Sequence, residues 1–510
     1  MFADIVNDKK TGKLSMLILL LIMAAGGLLL FANLGDRCLW QDEASTALIG
    51  GTVLKYGVPK GYDGLNYFSQ FYGKEYGNNY TWSWHGWLTF YAEALSLKIF
   101  GGNTAAARLP FAAAGLINIF LVYLLAGRLF AGKRIRLLSA AVTAASVPFL
   151  LLARQGRYFA FEMLFATLGL YAYAGLIKRE KFSGLTYFFS VVFLFHIIYV
   201  NSFALAAAAC LHSLLFCRER APKTAMLSAG ALAVNAPFLF TIYKIDFRAV
   251  QPGFLDPGRM LGSFFEYLRA AGSDLMPLYF IAAVFVCFAA GFIFKRIKPG
   301  WQNAGPVFIP VIFTVITLLF MSAASYQPYF RNIAAAVPAV MILISLAIDT
   351  VLDAWLPAGL MLCAILLFSW KMPSYIYELT HKFNSGTRAV CRYLNENAGK
   401  GDIVAVTYGD LPIKFYTGLR VIGPLTGEDL SPVKTARWVI IRPYSIVSDD
   451  LDRKDLGIRK YIGENLDPKN FESIVFDSPD LYSENREMIS GHYFKNVTGT
   501  TKTILFKRKK

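Results

Sequence analysis

Two acidic residues stand side by side early in the chain, in the run Trp40-Gln41-Asp42-Glu43-Ala44. They follow a long apolar segment closely, so they lie where the chain leaves a membrane, and carboxylates there are costly unless something uses them. A carboxylate held at such a boundary is suited to accepting a proton from a reacting hydroxyl group. The alternative is structural: Asp42 caps a short helix, Glu43 is solvated and Trp40 anchors the segment at the interface.

Four arginines near the ends of apolar segments are candidates for binding an anion: Arg108, Arg154, Arg157 and Arg331. A guanidinium group is a planar, permanently charged donor that matches the oxygens of a phosphate. On a helix, Arg154, Tyr158 and Glu162 would share one face, because they are spaced i, i+4 and i+8. Arginines near span ends also reach toward lipid headgroups without any catalytic part, and this alternative stays open for each of them.

The elements that must position these side chains are membrane helices, as the composition indicates. Apolar residues make up 55% of the 510 residues and charged residues 17%, and the mean hydropathy is +0.45. Such a chain cannot cover its apolar surface with polar groups, which excludes a soluble enzyme, a disordered scaffold and a disulfide-stapled secreted module. The net charge of +17 is not gathered in one basic strip, so nucleic-acid binding is not expected.

About 11 apolar segments are long enough to cross a membrane, and they predict a polytopic α-helical protein. They cover residues 14–33, 109–129, 137–153, 161–177, 185–200, 202–216, 225–243, 275–294, 306–323, 333–348 and 355–370. With the amino terminus in the cytoplasm, the inner segments hold 16 Lys and Arg in 52 residues, against 13 in 122 residues outside. This bias follows the positive-inside rule, and an odd number of spans puts the tail from Lys371 outside.

Two regions outside the membrane are predicted, both on the outer face. Residues 34–108 are too many for a connector, and they contain one short helix ending near Gly57 and one interfacial helix ending near Gly101. Residues 371–510 predict a small α/β domain, which would follow a transmembrane domain of residues 1–370. Its strands are expected at 402–408, 437–441, 471–476 and 501–507, and its helices at 387–397 and 452–464.

Several short motifs recur here in a fixed order and on one side of the membrane: residues 39–44, 58–59, 85–101, 106–110, 154–158 and 329–331, with Pro338 downstream. In this order they resemble the GT-C integral-membrane glycosyltransferases. The similarity is to the branch of protein O-mannosyltransferases and lipid A aminoarabinose transferases, which use lipid-carried sugars. The resemblance implies a bacterial inner-membrane enzyme of the cell envelope, with its active site and α/β domain in the periplasm.

The resemblance implies inverting transfer of a sugar from a polyprenyl-phosphate carrier to a lipid-linked glycan, lipid A, a cell-wall polymer or a protein. Asp42 would be the general base and Glu43 an auxiliary carboxylate, although these two roles could be exchanged. The donor phosphate would be bound by Arg108, Arg154, Arg157 and Arg331. Further substrate-binding positions would be His85, Tyr158, Glu162, Trp40 and Tyr329. His85 is followed by Gly86-Trp87 where relatives have two prolines, so the turn there is expected to differ.

No metal-binding residues are assigned. Residues 244–274 contain Asp246, Asp256, Glu266 and Asp274 but no histidine, which argues against a site of mixed histidine and carboxylate ligands. A carboxylate site for Mg²⁺ or Mn²⁺ stays open, since some GT-C branches use a metal.

Two other functions are compatible with a membrane protein of this kind. A transporter or flippase for lipid-linked sugars would carry ionisable residues at mid-span and two half-repeats, and neither is evident. A non-catalytic subunit of a glycan-assembly complex would tolerate the loss of Asp42. Replacing that residue therefore separates such a subunit from an enzyme.

Overall fold

The computed structural model describes residues 9–243, 256–294, 305–325, 327–442, 452–467, 469–479, 489–495 and 502–509. Helices dominate as far as Thr380, and a small mixed sheet follows. The segments 244–255 and 295–304, the first of which contains Asp246, lie outside the described residues.

The helices that precede the sheet are numbered in chain order. They are α1 (Lys9–Phe31), α2 (Gln41–Tyr56), α3 (Leu88–Phe100), α4 (Thr104–Leu129), α5 (Lys133–Ala145), α6 (Val147–Ala153), α7 (Phe159–Ile177), α8 (Ser183–Phe195), α9 (Tyr199–Phe216), α10 (Ala221–Val234), α11 (Ala236–Tyr243), α12 (Pro257–Asp274), α13 (Leu278–Ile293), α14 (Gly305–Ala324), α15 (Val337–Ala354), α16 (Leu356–Ser369) and α17 (Met372–Thr380). Two 3-10 segments, Arg218–Arg220 and Phe330–Ala336, precede α10 and α15.

The number of spans follows from helix length and apolar character. Among the described residues, six helices or continuous helical stretches can cross a membrane, and nine can if each of three bent pairs counts as one. The bent pairs are α5–α6, α12–α13 and α16–α17, with angles of 64°, 78° and 50°. The predicted spans 185–200 and 225–243 correspond to shorter helices, α8 and the pair α10–α11. The polytopic helical architecture is confirmed, with six to nine spans of clear length beside the 11 predicted.

The break between α5 and α6 positions the link that follows it. Ser146 caps α6 with its side chain, and Pro148 stands in the first turn. Proline fits the first turn of a helix but has no amide hydrogen with which to continue the preceding one, so a new helix starts here. Helix α6 then ends at Ala153, and residues 154–158 link it to α7.

The segment between α1 and α4, called here the outer loop after its predicted side, contains both helices that the sequence predicted. Helix α2 ends at Gly57 with φ of 75°, a left-handed backbone that glycine adopts without strain. Helix α3 packs against α2 where Gly50 faces Glu93, and a β-carbon at Gly50 would lie only 2.7 Å from Cγ of Glu93. The glycine therefore allows the two helices to approach closely.

The tail forms a five-stranded sheet with helices beside it. The strands are β1 (Ile403–Val406), β2 (Arg420–Ile422), β3 (Trp438–Ile440), β4 (Phe471–Pro479) and β5 (Lys502–Arg508), in the order β2-β1-β3-β5-β4. Strand β1 is parallel to β2 and β3, whereas β5 is antiparallel to β3 and β4. The helices are α18 (Gly386–Asn397), α19 (Asp410–Thr417) and α20 (Asp452–Asn465). The α/β tail is confirmed, and the sequence analysis missed only α19 and β2 among these elements.

The tail packs on the first outer loop through both backbone and side-chain contacts. The side chain of Asn66 donates to the carbonyl of Leu419 at 2.8 Å and accepts from the amide of Val421 at 2.9 Å. The amide of Tyr72 donates to the carbonyl of Leu425 at 2.8 Å. The outer loop thus lies against β2 and the residues on either side of it.

Candidate active site

The two acidic residues lie in the first turn of α2, where the helix dipole favours negative charge. Asp42 does not cap the helix as the structural alternative suggested. Trp40 occupies the cap position, and its amide donates to the Glu43 carboxylate at 3.3 Å. Because successive residues of an α-helix point about 100° apart, Asp42 and Glu43 face different neighbours.

Asp42 lies next to two guanidinium groups that come from distant parts of the chain. Its Oδ2 is 3.2 Å from Nη1 of Arg331 and 3.7 Å from Nη2 of Arg157. Arg331 belongs to the 3-10 segment Phe330–Ala336, and Arg157 to the link between α6 and α7. The side chains of Asp42, Arg157 and Arg331 are 13%, 11% and 20% exposed. These three residues, called here the Asp42 cluster, are partly open to an approaching polar group.

Aromatic rings frame the Asp42 cluster. The guanidinium carbon of Arg331 is 5.4 Å from the centre of the Trp40 ring and 4.7 Å from that of Tyr329. The guanidinium carbon of Arg157 is 4.8 Å from the centre of the Tyr158 ring. Ring faces attract cations at these distances, so the aromatic residues hold the long arginine side chains in place.

Glu43 is instead fully buried and paired with Arg108. Arg108 donates from Nε to Oε1 at 2.8 Å and from Nη2 to Oε2 at 2.6 Å, so the contact is bidentate. The two side chains are 0% and 4% exposed. A buried ion pair offsets its desolvation only with good geometry and further hydrogen bonds. These two residues are called here the Glu43 pair.

The remaining N–H groups of Arg108 are also occupied. Nη1 donates to the carbonyls of Leu34 and Arg37 at 3.0 Å each, and Nη2 donates to that of Cys38 at 3.1 Å. A guanidinium group has five N–H donors, and here all five bind groups within the protein. Arg108 therefore has no donor left for a phosphate in this arrangement, and its geometry does not support the predicted role.

The Glu43 pair also fixes the link that carries Arg157. The amide of Gly156 donates to Oε1 of Glu43 at 2.8 Å. A β-carbon at Gly156 would lie 3.1 Å from the carbonyl oxygen of Ala107, so glycine suits this close approach. Arg157, the next residue, is thereby held beside Asp42.

His85 lies behind the Asp42 cluster rather than within it. The residue is 6% exposed, and its ring stacks on Phe90 with centres 5.1 Å apart and meets Tyr158 edge-on at 5.5 Å. Burial, followed by the nearby charge of Arg157, lowers the pKa of His85 to about 3. The imidazole is therefore neutral near pH 7 and supports the Tyr158 ring.

Gly86 and Trp87, which stand where the family pattern has two prolines, have their own contacts. A β-carbon at Gly86 would lie 2.1 Å from the carbonyl carbon of His196. The amide of Leu88 donates to the same carbonyl group at 3.1 Å, and Trp87 Nε1 donates to the Trp82 carbonyl at 2.8 Å. The turn here is built around the residue that follows α8.

Glu162 holds the segment that carries Arg331. Its Oε1 accepts from the amide of Ala335 at 3.0 Å and from Nδ2 of Asn201 at 2.6 Å. Glu162 is 1% exposed and lies one helical turn beyond Tyr158 on α7. It therefore acts on the Asp42 cluster indirectly, through the position of the 3-10 segment.

Arg154 binds the end of α1. Its Nη1 and Nη2 donate to the carbonyls of Leu29 and Ala32 at 2.8 Å each. Carbonyl groups at the end of a helix lack partners within the helix, and Arg154 supplies hydrogen-bond donors to two of them. Among the described residues Arg154 makes no ion pair with Asp42, and its role in binding the donor phosphate stays a prediction.

Two residues at the site were missed by the sequence analysis. The hydroxyl of Thr46, four residues after Asp42, accepts from Nη1 of Arg157 at 3.1 Å. The side chain of Asn332, next to Arg331, donates to the hydroxyls of Tyr267 and Ser325 at 3.0 and 2.8 Å. The i, i+4 spacing from Asp42 was a usable signal for Thr46, whereas nothing in the sequence pairs Asn332 with Tyr267.

The described residues contain no group of three or more His, Cys, Asp or Glu side chains arranged to hold a metal ion. Of the acidic residues named in the sequence analysis, Asp256 caps α12 and Glu266 pairs with Arg269 at 3.1 Å.

Comparisons with known proteins agree with the motif-based resemblance. Residues 85–241 match the model of the dolichyl-phosphate-mannose-protein mannosyltransferase family. The matched segment starts at His85 and includes Arg157 and Glu162. No curated protein matches the chain at a significant level of sequence similarity.

Solved structures show the same fold. ArnT from Cupriavidus metallidurans, bound to undecaprenyl phosphate, is 13% identical with a TM-score of 0.56, and the match covers 83% of this chain and 93% of that one. The apo state of ArnT from the same organism is 13% identical with a TM-score of 0.58, and the match covers 83% of this chain and 92% of that one. A third structure is the archaeal oligosaccharyltransferase AglB from Archaeoglobus fulgidus in complex with an inhibitory peptide and a dolichol-phosphate. It is 13% identical with a TM-score of 0.52, and the match covers 84% of this chain and 69% of that one. The predicted GT-C fold and the resemblance to these membrane glycosyltransferases are confirmed.

Proposed function

We propose that this protein is a membrane glycosyltransferase that moves a sugar from a polyprenyl-phosphate carrier to an acceptor at the outer membrane surface. The observation that carries the proposal is the Asp42 cluster, a partly exposed carboxylate beside two guanidinium groups. The shared fold with ArnT, solved with undecaprenyl phosphate, and with AglB, solved with a dolichol-phosphate, supports a lipid phosphate as donor.

In the proposed reaction Asp42 accepts the proton of an acceptor hydroxyl as its oxygen attacks the anomeric carbon of the donor sugar. The new carbon–oxygen bond forms as the bond to the phosphate oxygen breaks, and attack from the opposite face inverts the anomeric centre. The polyprenyl phosphate leaves with the bonding electron pair. A general base contributes about 10²–10⁴-fold to such a step.

Arg157 and Arg331 are proposed to bind the donor phosphate. Fixed cationic donors stabilise the charge that develops on a leaving group. Before substrate binds, both groups rest against Asp42 at 3.2 and 3.7 Å. A bound phosphate would draw the guanidinium groups toward itself and leave the Asp42 carboxylate to accept a proton.

Exposure supports Asp42 rather than Glu43 as the base. The Glu43 side chain is 0% exposed and accepts four hydrogen bonds, from Arg108, Gly156 and Trp40. A carboxylate occupied in this way has no open oxygen for an acceptor hydroxyl. We propose that Glu43 and Arg108 form the scaffold on which Asp42 and Arg157 are mounted.

The aromatic residues are proposed to contact the substrates. Trp40, Tyr158 and Tyr329 flank the two guanidinium groups, and their ring faces could pack on a sugar or on the first isoprene units of the carrier. His85 and Glu162 would act through Tyr158 and the 3-10 segment. In the cell, the amino terminus would lie in the cytoplasm, and the Asp42 cluster and the tail would lie outside the inner membrane.

The experiment that tests the function is transfer from a polyprenyl-phosphate sugar by the full chain in lipid nanodiscs. Surface glycans and lipids of cells with and without the protein, compared by mass spectrometry, would name the sugar and the acceptor. Asp42→Asn should then reduce transfer by about 10²–10⁴-fold without changing expression or thermal unfolding. Asp63→Asn is the matched control, because Asp63 is a carboxylate of the same outer loop that accepts only backbone amides in the described contacts.

Transfer by Asp42→Asn at the rate of the unmodified protein would remove Asp42 from the mechanism. Two results together would contradict the proposed function. Cells without the protein would keep all their surface glycans and glycolipids, and the protein in nanodiscs would transfer no sugar from any polyprenyl-phosphate donor.

A further inference from the structure

A small cavity lies beside the Glu43 pair, on the side away from Asp42, where α1, α4, α6 and the tail meet. It is lined by Asn33, Arg37, Arg108, Leu151, Arg154, Glu378 and Lys495. Four of these seven residues carry a positive charge and one carries a negative charge. An anion is the kind of ligand that such a lining would bind.

Three of the four cationic side chains that line the cavity are largely withdrawn from water, and Arg154 is half-buried. Arg37 and Arg108 are each 3% exposed, and the side chain of Lys495 is also 3% exposed. Burial lowers the pKa of Lys495 although Asp36 raises it, and Arg37 lowers it further.

The carboxylates near the cavity do not match its cations in number. Glu43 pairs with Arg108, Glu378 with Arg37 at 3.4 Å, and Asp36 with Lys495 at 2.5 Å. The fourth cation, Arg154, donates to backbone carbonyls, which carry no net charge. Among the described residues the carboxylates are therefore one fewer than the cations, and the half-buried Arg154 shares the charge of Glu378 with Arg37.

Two further groups near the cavity add positive charge rather than remove it. Arg388 lies 3.7 Å from Asp36 and shares that carboxylate with Lys495. His492 lies 2.6 Å from Glu378 and shares that carboxylate with Arg37. Asp36 and Glu378 therefore each serve two basic partners, and among the described residues the cations outnumber the carboxylates.

The size of the cavity limits which anion can enter. The space open to the centre of a water molecule is about 20 Å³, and one water needs about 10–15 Å³ by the same measure. This space holds a single small ion.

We propose that this cavity is a binding site for one small monovalent anion, of which chloride is the abundant physiological example. The ion would offset part of the positive charge and join three segments: the segment after α1 through Arg37, the link after α6 through Arg154, and the tail through Lys495. It would stabilise the junction between the helical part and the tail. Its binding does not depend on sugar transfer.

The first test is thermal unfolding of the purified full chain in detergent, at constant ionic strength and pH. When gluconate is exchanged for chloride or bromide, Tm should rise and then saturate. The expected rise is about 1 °C at a halide concentration ten times the dissociation constant, for a chain of this length. A rise that grows without saturation, or none at all, would overturn the proposal.

The second test compares two arginine variants. Arg154→Gln removes one of the four cations that line the cavity, so its Tm should no longer depend on halide. Arg388→Gln is the matched control, because Arg388 also pairs with Asp36 but does not line the cavity. It should keep the halide dependence. The same halide dependence in both variants would contradict the assignment.

The third test needs no variant and guards against a variant that fails to fold. Crystals of the unmodified protein grown in bromide should give an anomalous peak between Arg37, Arg154 and Lys495. Added polyprenyl monophosphate should leave this peak in place. Displacement of the bromide by the lipid would show that the cavity belongs to the donor phosphate and would overturn the proposal, as would the absence of a peak.

Discussion

The Asp42 cluster and the Glu43 pair both join a carboxylate to arginine. Their carboxylates are adjacent residues of α2, yet their contacts differ. Glu43 meets Arg108 in a bidentate pair at 2.6 and 2.8 Å with both side chains sealed from solvent. Asp42 meets two arginines at 3.2 and 3.7 Å, and all three side chains are partly exposed. The closed arrangement holds the fold together, whereas the partly open one can exchange its contacts for those of a substrate.

This difference separates structural from reactive charges where residue type cannot. Every donor of Arg108 has a partner inside the protein, so binding a ligand would mean breaking the scaffold. The ion pairs of Arg157 and Arg331 with Asp42 are longer, and a phosphate could replace them at little cost. Three variants, taken in order of expected effect, would break or sharpen this comparison.

The largest effect is expected for Glu43→Gln. Loss of this charge leaves Arg108 buried without its counterion, which typically costs about 3–5 kcal/mol in the free energy of unfolding. The variant should show a lower Tm and less folded protein in the membrane, measured by thermal unfolding and by size-exclusion chromatography in detergent. Glu396→Gln is the control, since Glu396 makes an exposed pair with Arg392 at 3.9 Å, and such pairs contribute at most about 1 kcal/mol. Equal stability of the Glu43→Gln and Glu396→Gln variants would remove the distinction between the two regions.

A smaller effect, and on catalysis alone, is expected for Arg331→Gln. Removing one cationic donor from a leaving group typically costs about 10²-fold in rate, so kcat/KM for the lipid-phosphate donor should fall by about that factor. Thermal unfolding should change little, because Arg331 is partly exposed. Arg269→Gln, at an arginine that is 80% exposed on α12, should leave both quantities unchanged. A large loss of stability with normal kcat/KM would place Arg331 in the scaffold instead.

The smallest effect is expected in the pH dependence of stability. The pKa of His85 is about 3 in the folded protein against 6.5 as the ordinary value. Below pH 6.5 the unfolded chain therefore takes up a proton that the folded His85 does not, so stability is full above pH 6.5 and falls as the pH falls toward 3. Between pH 6.5 and 5 this amounts to about 1–2 kcal/mol. His85→Phe should reduce the slope of unfolding free energy against pH, and an unchanged slope would contradict the assignment.

Much of the fold was predictable because its signals are local. Long apolar segments predict helices, and alternating residues flanked by turns predicted four of the five strands in the described tail. The missed elements are short: β2 has three residues, and α19 has eight with Pro412 in its first turn. Neither is long enough to show a period, and their positions depend on the neighbours they pack against.

The candidate residues could be named from the sequence, but the pairing of their charges could not. Short motifs in the amino-acid sequence are enough to single out Asp42, Glu43 and the four arginines. Which arginine binds which carboxylate depends on directions that a sequence does not contain. Arg108 and Arg157 carry the same charge. Arg108 makes five hydrogen bonds within the protein, whereas Arg157 lies beside the partly exposed carboxylate of Asp42.

Helix α19 of the tail rests on the helix that carries Asp42. Gln41 donates from Nε2 to Asp410 at 2.8 Å, and the amide of Leu39 donates to the hydroxyl of Tyr416 at 2.9 Å. The residues just before Asp42 thus contact a segment of the tail that comes more than 350 positions later in the chain. In evolution or engineering, a tail grafted from another protein would have to bring an α2 that fits it, and the two should be inherited as one block.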